Sequence, residues 1–443
     1  MKTRFILIYV LLFSFIFISC NKKEEVSNLE IINTQVNNQQ IKVIEELSPE
    51  EIPQKKYEEA INLFVKEMSL EEKIGQMFLI TIGGTTFSDS YYDLESFIAP
   101  GGYLLFAYNF ENGKQTIDFT SSIQNWYSKN NFINPFFSVD QEGGLVNRLR
   151  NVASPLPSAK SVGKFLSLDL AKKLYDLSAK QISALGIQVN LGPVVEILTE
   201  DNEGFLDSRS FGDFEKVIPY SEIFINSMLE NSVFPVVKHF PGNNADDPHL
   251  GLPIINYDIE KTKNILISPF EKIENKENLG ILVAHSVLPS LFNSETPIPA
   301  CLSKEIVTNL LKNQLGYSGL VFSDDLLMAA LQNNGYDSIT AITMAIKAGI
   351  NVLMISQKEY LPFIKEVANL SENDQELVLN IEESVFKIID HKIKYGILNY
   401  EDGKISIPSA KTIEEIQNYQ NIKYEEFSKV KEEGEEFYRT YWG

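Results

Sequence analysis

Between about Tyr57 and Leu398 the chain alternates two patterns: stretches whose apolar residues recur at helical spacing, and short runs that are apolar throughout. The short runs are Met77–Ile82, Tyr103–Phe106, Pro135–Val139, Gln188–Leu191, Phe234–His239, Leu279–His285, Gly319–Ser323 and Asn351–Ile355. Each is continuously apolar and ends in polar or glycine-containing sequence, the pattern of parallel strands buried on both faces. Helical stretches such as Leu168–Leu185, Ser221–Asn231 and Lys304–Leu315 lie between them. Eight strands alternating with helices predict an α/β fold of the (β/α)8 barrel type, with a doubly wound open sheet as the alternative on pattern alone. The barrel is expected over residues 56–400 as a single domain, and the polar sequence of 401–443 as a C-terminal helical extension. Within that extension Glu432-Glu433 and Glu435-Glu436 read as a solvated helix face.

The N-terminus departs from this alternation. Lys2 and Arg4 precede an apolar run from Phe5 to Ile18, followed by Ser19-Cys20. A positive flank, a short apolar segment and a small residue before the cut describe a signal peptide over residues 1–19. The run is shorter than the ~20 apolar residues of a spanning helix. Ser19-Cys20 resembles a bacterial lipobox, so Cys20 is the expected lipidation site and the protein is expected to be exported and lipid-anchored to a bacterial membrane, on its periplasmic or cell-surface face. Residues 20–55 are polar and suit a flexible tether. Once Cys20 is set aside only Cys301 remains, and one thiol cannot form an internal disulfide. The formal net charge of -21 argues against a nucleic-acid partner, which needs clustered Lys and Arg. The lipid anchor is then the sole expected contact with the membrane.

The residues that end the strands carry the chemistry. In a closed barrel such ends converge on the carboxyl face, where catalytic groups collect. Of the four histidines, His239, His249 and His285 lie at or just after strand ends. Lys238-His239-Phe240-Pro241-Gly242 places two hydrogen-bond donors at a pocket mouth. The loop that follows carries Asp247 and His249, a carboxylate beside an imidazole, which is what a general acid/base requires. The strand Gly319–Ser323 ends in Asp324-Asp325; Asp324 is the better placed for a carboxylate nucleophile, and capping of the following helix falls to Asp325 or to neither. In Asp140-Gln141-Glu142-Gly143-Gly144, paired glycines allow a tight turn, and Asp140 and Arg148 could grip hydroxyls. The histidines lack ligand spacing, so neither a metal nor another cofactor is expected.

Taken in order, DQEGG, RSFG, KHFPG, DxH and SDDLxM resemble glycoside hydrolase family 3, in its β-N-acetylglucosaminidase branch, from Ser69 through Leu353. The resemblance implies Asp324 as nucleophile, His249 as acid/base and Asp247 as its dyad partner. It implies that Asp140, Arg148, Arg209, Lys238 and His239 hold the terminal sugar. The reaction implied is retaining hydrolysis of terminal β-linked N-acetylglucosamine from muropeptides, as in peptidoglycan recycling, or from other glycans. A histidine acid/base, unlike the usual carboxylic acid, also suits an anionic acceptor, so phosphorolysis at the same site is an alternative. Two positions depart from the branch: Asn243-Asn244 stands where His-Gly usually follows KHFPG, in a loop about two residues short, and Glu196 stands where Asp is common. These changes motivate a second alternative, a non-catalytic glycan-binding lipoprotein. A β-glucosidase is disfavoured, because no second domain supplies its carboxylic acid/base.

Overall fold

The structure, a computed structural model, describes residues 51–246, 251–291 and 298–442. Residues 1–50, with the expected signal peptide, Cys20 and most of the tether, lie outside the described residues, as do Asp247 and His249.

Eight parallel strands form one sheet in chain order: β1 (Phe78–Thr81), β2 (Gly102–Leu105), β3 (Phe136–Val139), β4 (Val189–Asn190), β5 (Phe234–Phe240), β6 (Gly280–Val283), β7 (Val321–Ser323) and β8 (Leu353–Ile355). β8 pairs in parallel with β1. Between β7 and β8, Asn351 N–H donates to the Val321 carbonyl at 2.8 Å and Ser323 N–H to that of Val352 at 2.9 Å, closing the ring. The sheet is therefore a barrel and not an open doubly wound sheet. All eight apolar runs became its strands, and every residue of each strand is buried. That is the reason the runs are uninterrupted: one face fills the barrel and the other packs on helices.

The helix expected at Leu168–Leu185 is found at Leu168–Ala184, and the departures lie at other helix starts. The helix before β5 spans Phe214–Glu230 and includes Pro219, so it begins earlier than Ser221. Its true start is marked by Asp213, whose side chain accepts the Lys216 N–H. The first described helix, Glu51–Glu67, begins inside the stretch expected to be tether. Pro53 sits in its first turn, where a missing N–H costs nothing. Leu70–Met77 leads into β1 behind a capping box of Ser69 and Glu72.

Beyond the barrel the chain first forms a two-stranded hairpin, Asn399–Glu401 with Lys404–Ser406, and then one long helix, Ile413–Tyr441. Phe427 and Phe437 are its buried anchors. Phe427 lies where a Cβ on Gly113 would stand, 2.3 Å from the ring, so only glycine allows the two helices to meet there. Glu432, Glu433 and Glu436 face solvent.

Candidate active site

β3 delivers Asp140 to the carboxyl mouth of the barrel, and a small hairpin, Gln141–Gly143 with Val146–Asn147, follows at once. Its turn needs left-handed backbone at Gly143 (φ 99) and Gly144 (φ 57). The hairpin tucks Glu142 inward and brings Arg148 back beside Asp140, with 3.9 Å between Nη2 and Oδ2. The Arg148 guanidinium also lies over the Phe106 ring, 5.5 Å from its centroid.

β5 contributes Lys238 and His239. Lys238 Nζ sits 2.7 Å from both Asp140 Oδ1 and Glu142 Oε1. Arg209, arriving after the short helix Glu203–Leu206, grips Glu142 in a two-pronged pair, Nε and Nη2 each at 2.9 Å. Its Nη2 also lies 3.2 Å from His239 Nε2. On the other side of the ring, His239 Nδ1 is 2.7 Å from Glu196.

These contacts keep the pocket charged despite its burial. Burial pushes the Glu142 carboxyl up, but Lys238 and Arg209 outweigh it and hold it down at about 2. Burial pushes Lys238 and Arg209 down, and the surrounding carboxylates return both above their ordinary values. Glu196, driven up by burial, is held low by His239 and Asn243.

β7 ends at Ser323 and presents Asp324, whose Oδ1 accepts the Asp325 N–H at 2.8 Å. Burial raises the Asp324 carboxyl, yet His285, His239, the Asp325 N–H and Lys238 together bring it below the ordinary aspartate range. Asp325 behaves differently. Its Oδ1 accepts N–H groups from Leu327 and Ser356, both at 3.1 Å, and burial leaves its carboxyl raised. It therefore braces the loop after β7 against the end of β8; the next helix, Ala329–Gln332, begins beyond it. His285 supports the same loop, with Nε2 donating to the Asp325 carbonyl at 2.9 Å and Nδ1 facing the Cys301 sulfur at 3.1 Å. Cys301 is fully buried and burial pushes its thiol well up, so it remains protonated and packed.

Six of the eight residues named from the sequence for catalysis and sugar binding thus lie on the carboxyl rim: Asp140, Arg148, Arg209, Lys238, His239 and Asp324. The remaining two, Asp247 and His249, fall outside the described residues. Glu142 was not singled out. It stands in the DQEGG run between Asp140 and the paired glycines, and its partners Arg209 and Lys238 lie far along the chain. Asn243 was read as a lost motif, and the structure makes it a partner of Glu196. Among the described residues, no group of three or more His, Cys, Asp or Glu side chains could hold a metal ion.

A pocket with a carboxylate held ionised among bound cations and ring donors is chemically suited to a polar, hydroxyl-rich ligand. Residues 69–390 match the model of the glycosyl hydrolase family 3 N terminal domain. A β-hexosaminidase of Nitrosomonas eutropha is 32% identical over 289 residues, covering 62% of this chain and 79% of that protein. The β-hexosaminidase LpqI of Mycobacterium tuberculosis is 31% identical over 232 residues, covering 50% of this chain and 58% of that one. Among solved structures, a glycoside hydrolase family 3 β-N-acetylglucosaminidase from Paenibacillus sp. aligns with a TM-score of 0.68 at 23% identity, over 81% of this chain and 69% of that chain. At that identity the likeness speaks for the fold alone.

Proposed function

The chain belongs to glycosyl hydrolase family 3, and we propose that within it this protein is an exo-acting, retaining β-N-acetylglucosaminidase with Asp324 as nucleophile and a His249/Asp247 acid/base dyad. It is a glycoside hydrolase of the β-N-acetylhexosaminidase kind, as its relatives named β-hexosaminidase are. The observation that carries the residue assignment is the state of Asp324. Asp140 and Glu142 are tied to Lys238 and Arg209, Glu196 to His239 and Asn243, and Asp325 to two backbone N–H groups. Asp324 is held ionised by its surroundings, yet of its two carboxylate oxygens only Oδ1 accepts a hydrogen bond among the described residues. An ionised carboxylate with a free oxygen at the pocket mouth is what attack on an anomeric carbon requires.

In the reading proposed, Asp140, Arg148, Arg209, Lys238 and His239 hold the terminal sugar through its hydroxyls. His249 gives a proton to the leaving oxygen as Asp324 Oδ2 bonds to the anomeric carbon and the glycosidic bond breaks. His249 then takes a proton from water, whose oxygen displaces Asp324 and restores the β configuration. Muropeptides and other glycans ending in β-N-acetylglucosamine are the proposed substrates.

The test is release of 4-nitrophenol from its β-N-acetylglucosaminide. Asp324→Ala is expected to lower kcat at least ~10⁴-fold, and added azide to restore turnover with a glycosyl azide of α configuration as product. Equal rates in wild type and variant would remove Asp324 from the mechanism. Running the wild type with and without phosphate separates free N-acetylglucosamine from its 1-phosphate, and so hydrolysis from phosphorolysis. Export and lipidation at Cys20 are proposed from the N-terminal sequence. Labelling with an alkyne fatty acid that is lost in Cys20→Ser supports the anchor, and undiminished labelling refutes it.

A further inference from the structure

Glu196 lies outside the residues that touch the sugar in the reading above, yet its carboxylate is buried and collects donors from two directions. Oε1 receives the His239 backbone N–H at 3.2 Å, His239 Nδ1 at 2.7 Å and Asn243 Nδ2 at 3.1 Å. Oε2 receives the Asn243 backbone N–H at 2.6 Å and Asn243 Nδ2 at 3.3 Å. Asn243 is itself buried, just past the exit of β5.

The far side of His239 fixes what this contact does. Arg209 Nη2 is 3.2 Å from His239 Nε2, and a guanidinium has protons to give and no lone pair to accept one. Nε2 must therefore hold the lone pair and Nδ1 the proton. A carboxylate on Nδ1 selects that tautomer. The line of hydrogen bonds runs from Arg209 into His239 and from His239 into Glu196, while the other edge of Arg209 is locked on Glu142. Turn the ring to its other tautomer and Nε2–H would point at the guanidinium, donor against donor.

We infer that Glu196 is a positioning residue of the sugar pocket: it sets His239 as the Nδ1–H tautomer that accepts from Arg209, and its second oxygen clamps Asn243 where the chain leaves β5. The length of the side chain matters. Aspartate would bring the carboxylate roughly 1.5 Å short, enough to serve His239 or Asn243 and not both. The two departures from the family pattern noted in the sequence, Glu196 and Asn243, are thus a single paired change.

The kinetic part of this inference rests on the reading that Arg209 and His239 hold the sugar; the tautomer does not. The chain has four histidines, so ¹⁵N-histidine labelling yields four imidazoles to resolve by magnetic resonance. Without ligand, His239 is expected as Nδ1–H in the wild type and in Arg209→Ala, where Glu196 alone selects it, and as Nε2–H in the double variant Glu196→Ala/Arg209→Ala, where neither partner remains. An Nε2–H signal in the wild type or in Arg209→Ala, or an unchanged Nδ1–H signal in the double variant, overturns the inference. Should the double variant fail to fold, E196D carries the test by kinetics. It is expected to raise KM for 4-nitrophenyl β-N-acetylglucosaminide about tenfold with kcat within about threefold, and to cost less than about threefold in an N243A background. A fall in kcat at constant KM would mean only a smaller folded fraction, and equal costs in both backgrounds would mean no pairing; either result overturns the inference. Arg209→Lys keeps the two readings apart: unchanged KM there removes the sugar contact and leaves the tautomer result standing.

Discussion

At the carboxyl mouth of the barrel, buried Lys238 lies 2.7 Å from each of two carboxylates. At the amino mouth Lys392, more deeply buried still, meets the amide oxygen of Gln76 at 2.6 Å and the Asn134 carbonyl at 2.7 Å, with no carboxylate partner among the described residues. The consequence is a shift in opposite directions. Lys238 is raised because Asp140 and Glu142 outweigh its burial, whereas burial alone drives Lys392 far below the ordinary lysine range. His391, next to Lys392, is packed among Phe234, Tyr395 and Phe136, with no hydrogen-bond partner for Nε2 among the described residues. Burial, with Lys392 and Lys394 adding to it, lowers it to about 3. One mouth retains its charges by pairing them; at the other, burial works against charge and serves an apolar plug. Barrels use the first for chemistry and the second for stability, and here the same residue types play both parts.

If pairing sustains the carboxyl mouth, removing one anion there should do the greatest damage. Glu142→Gln leaves Arg209 and Lys238 without their shared partner. We expect kcat/KM to fall ~10³-fold and unfolding free energy to fall by about 3 kcal/mol, measured by initial rates and urea melts. A variant with full activity would mean that Arg209 is positioned by something else. Acid should sort the two mouths as well. The folded value of Glu142, about 2, lies below its unfolded value near 4.5, so its stabilisation is complete above pH 4.5 and is lost only as pH falls toward 2. His391 also has a lowered folded value, about 3 against 6.5 unfolded, so its contribution is complete above pH 6.5 and declines from there down to about 3. Acid sensitivity at pH 4 therefore belongs to the amino mouth. On going from pH 7 to pH 4, His391→Phe should lose about 3 kcal/mol less unfolding free energy than the wild type, with kcat at pH 7 unchanged. Equal losses in the two proteins would show that the plug is not held neutral.

This asymmetry was only half visible in the sequence. The strands could be read because each apolar run is short, continuous and closed by polar residues, and the polar ends marked the carboxyl rim. Asp140 and Asp324 were legible for the same reason, each standing directly after a strand, and Lys238 because the apolar run before it breaks there. Glu142, two residues after Asp140, was hidden because its partners, Arg209 and Lys238, lie far along the chain. Glu196 and Asn243 looked like separate blemishes until folding brought them together. Nothing in the local pattern distinguishes Lys392 from the exposed basic residues around it, since the end of its helix reads as an ordinary run of cations near a helix C-terminus. The hairpin at Asn399–Ser406 was missed for a related reason: it is polar and mostly exposed, so no apolar alternation marks it.

Asp324 and Asp325 bring the contrast down to adjacent residues. Asp325 sits on the functional rim but is built like the plug: burial leaves its carboxyl raised, and Oδ1 is committed to the Leu327 and Ser356 N–H groups. An amide oxygen accepts those two hydrogen bonds as well as a carboxylate does. Asp325→Asn should therefore keep kcat within about threefold and change stability by less than ~1 kcal/mol. The folded carboxyl value is raised, so the wild-type side chain disfavours folding as pH climbs through it, and the variant should gain slightly on the wild type between pH 4 and pH 7. Asp324→Asn, one residue away, removes the anion whose free oxygen is assigned to the attack. If Asp325→Asn proves as inactive as Asp324→Asn, the division of labour between the pair is wrong, and with it the rule that a rim carboxylate engaged by backbone donors is scaffold rather than chemistry.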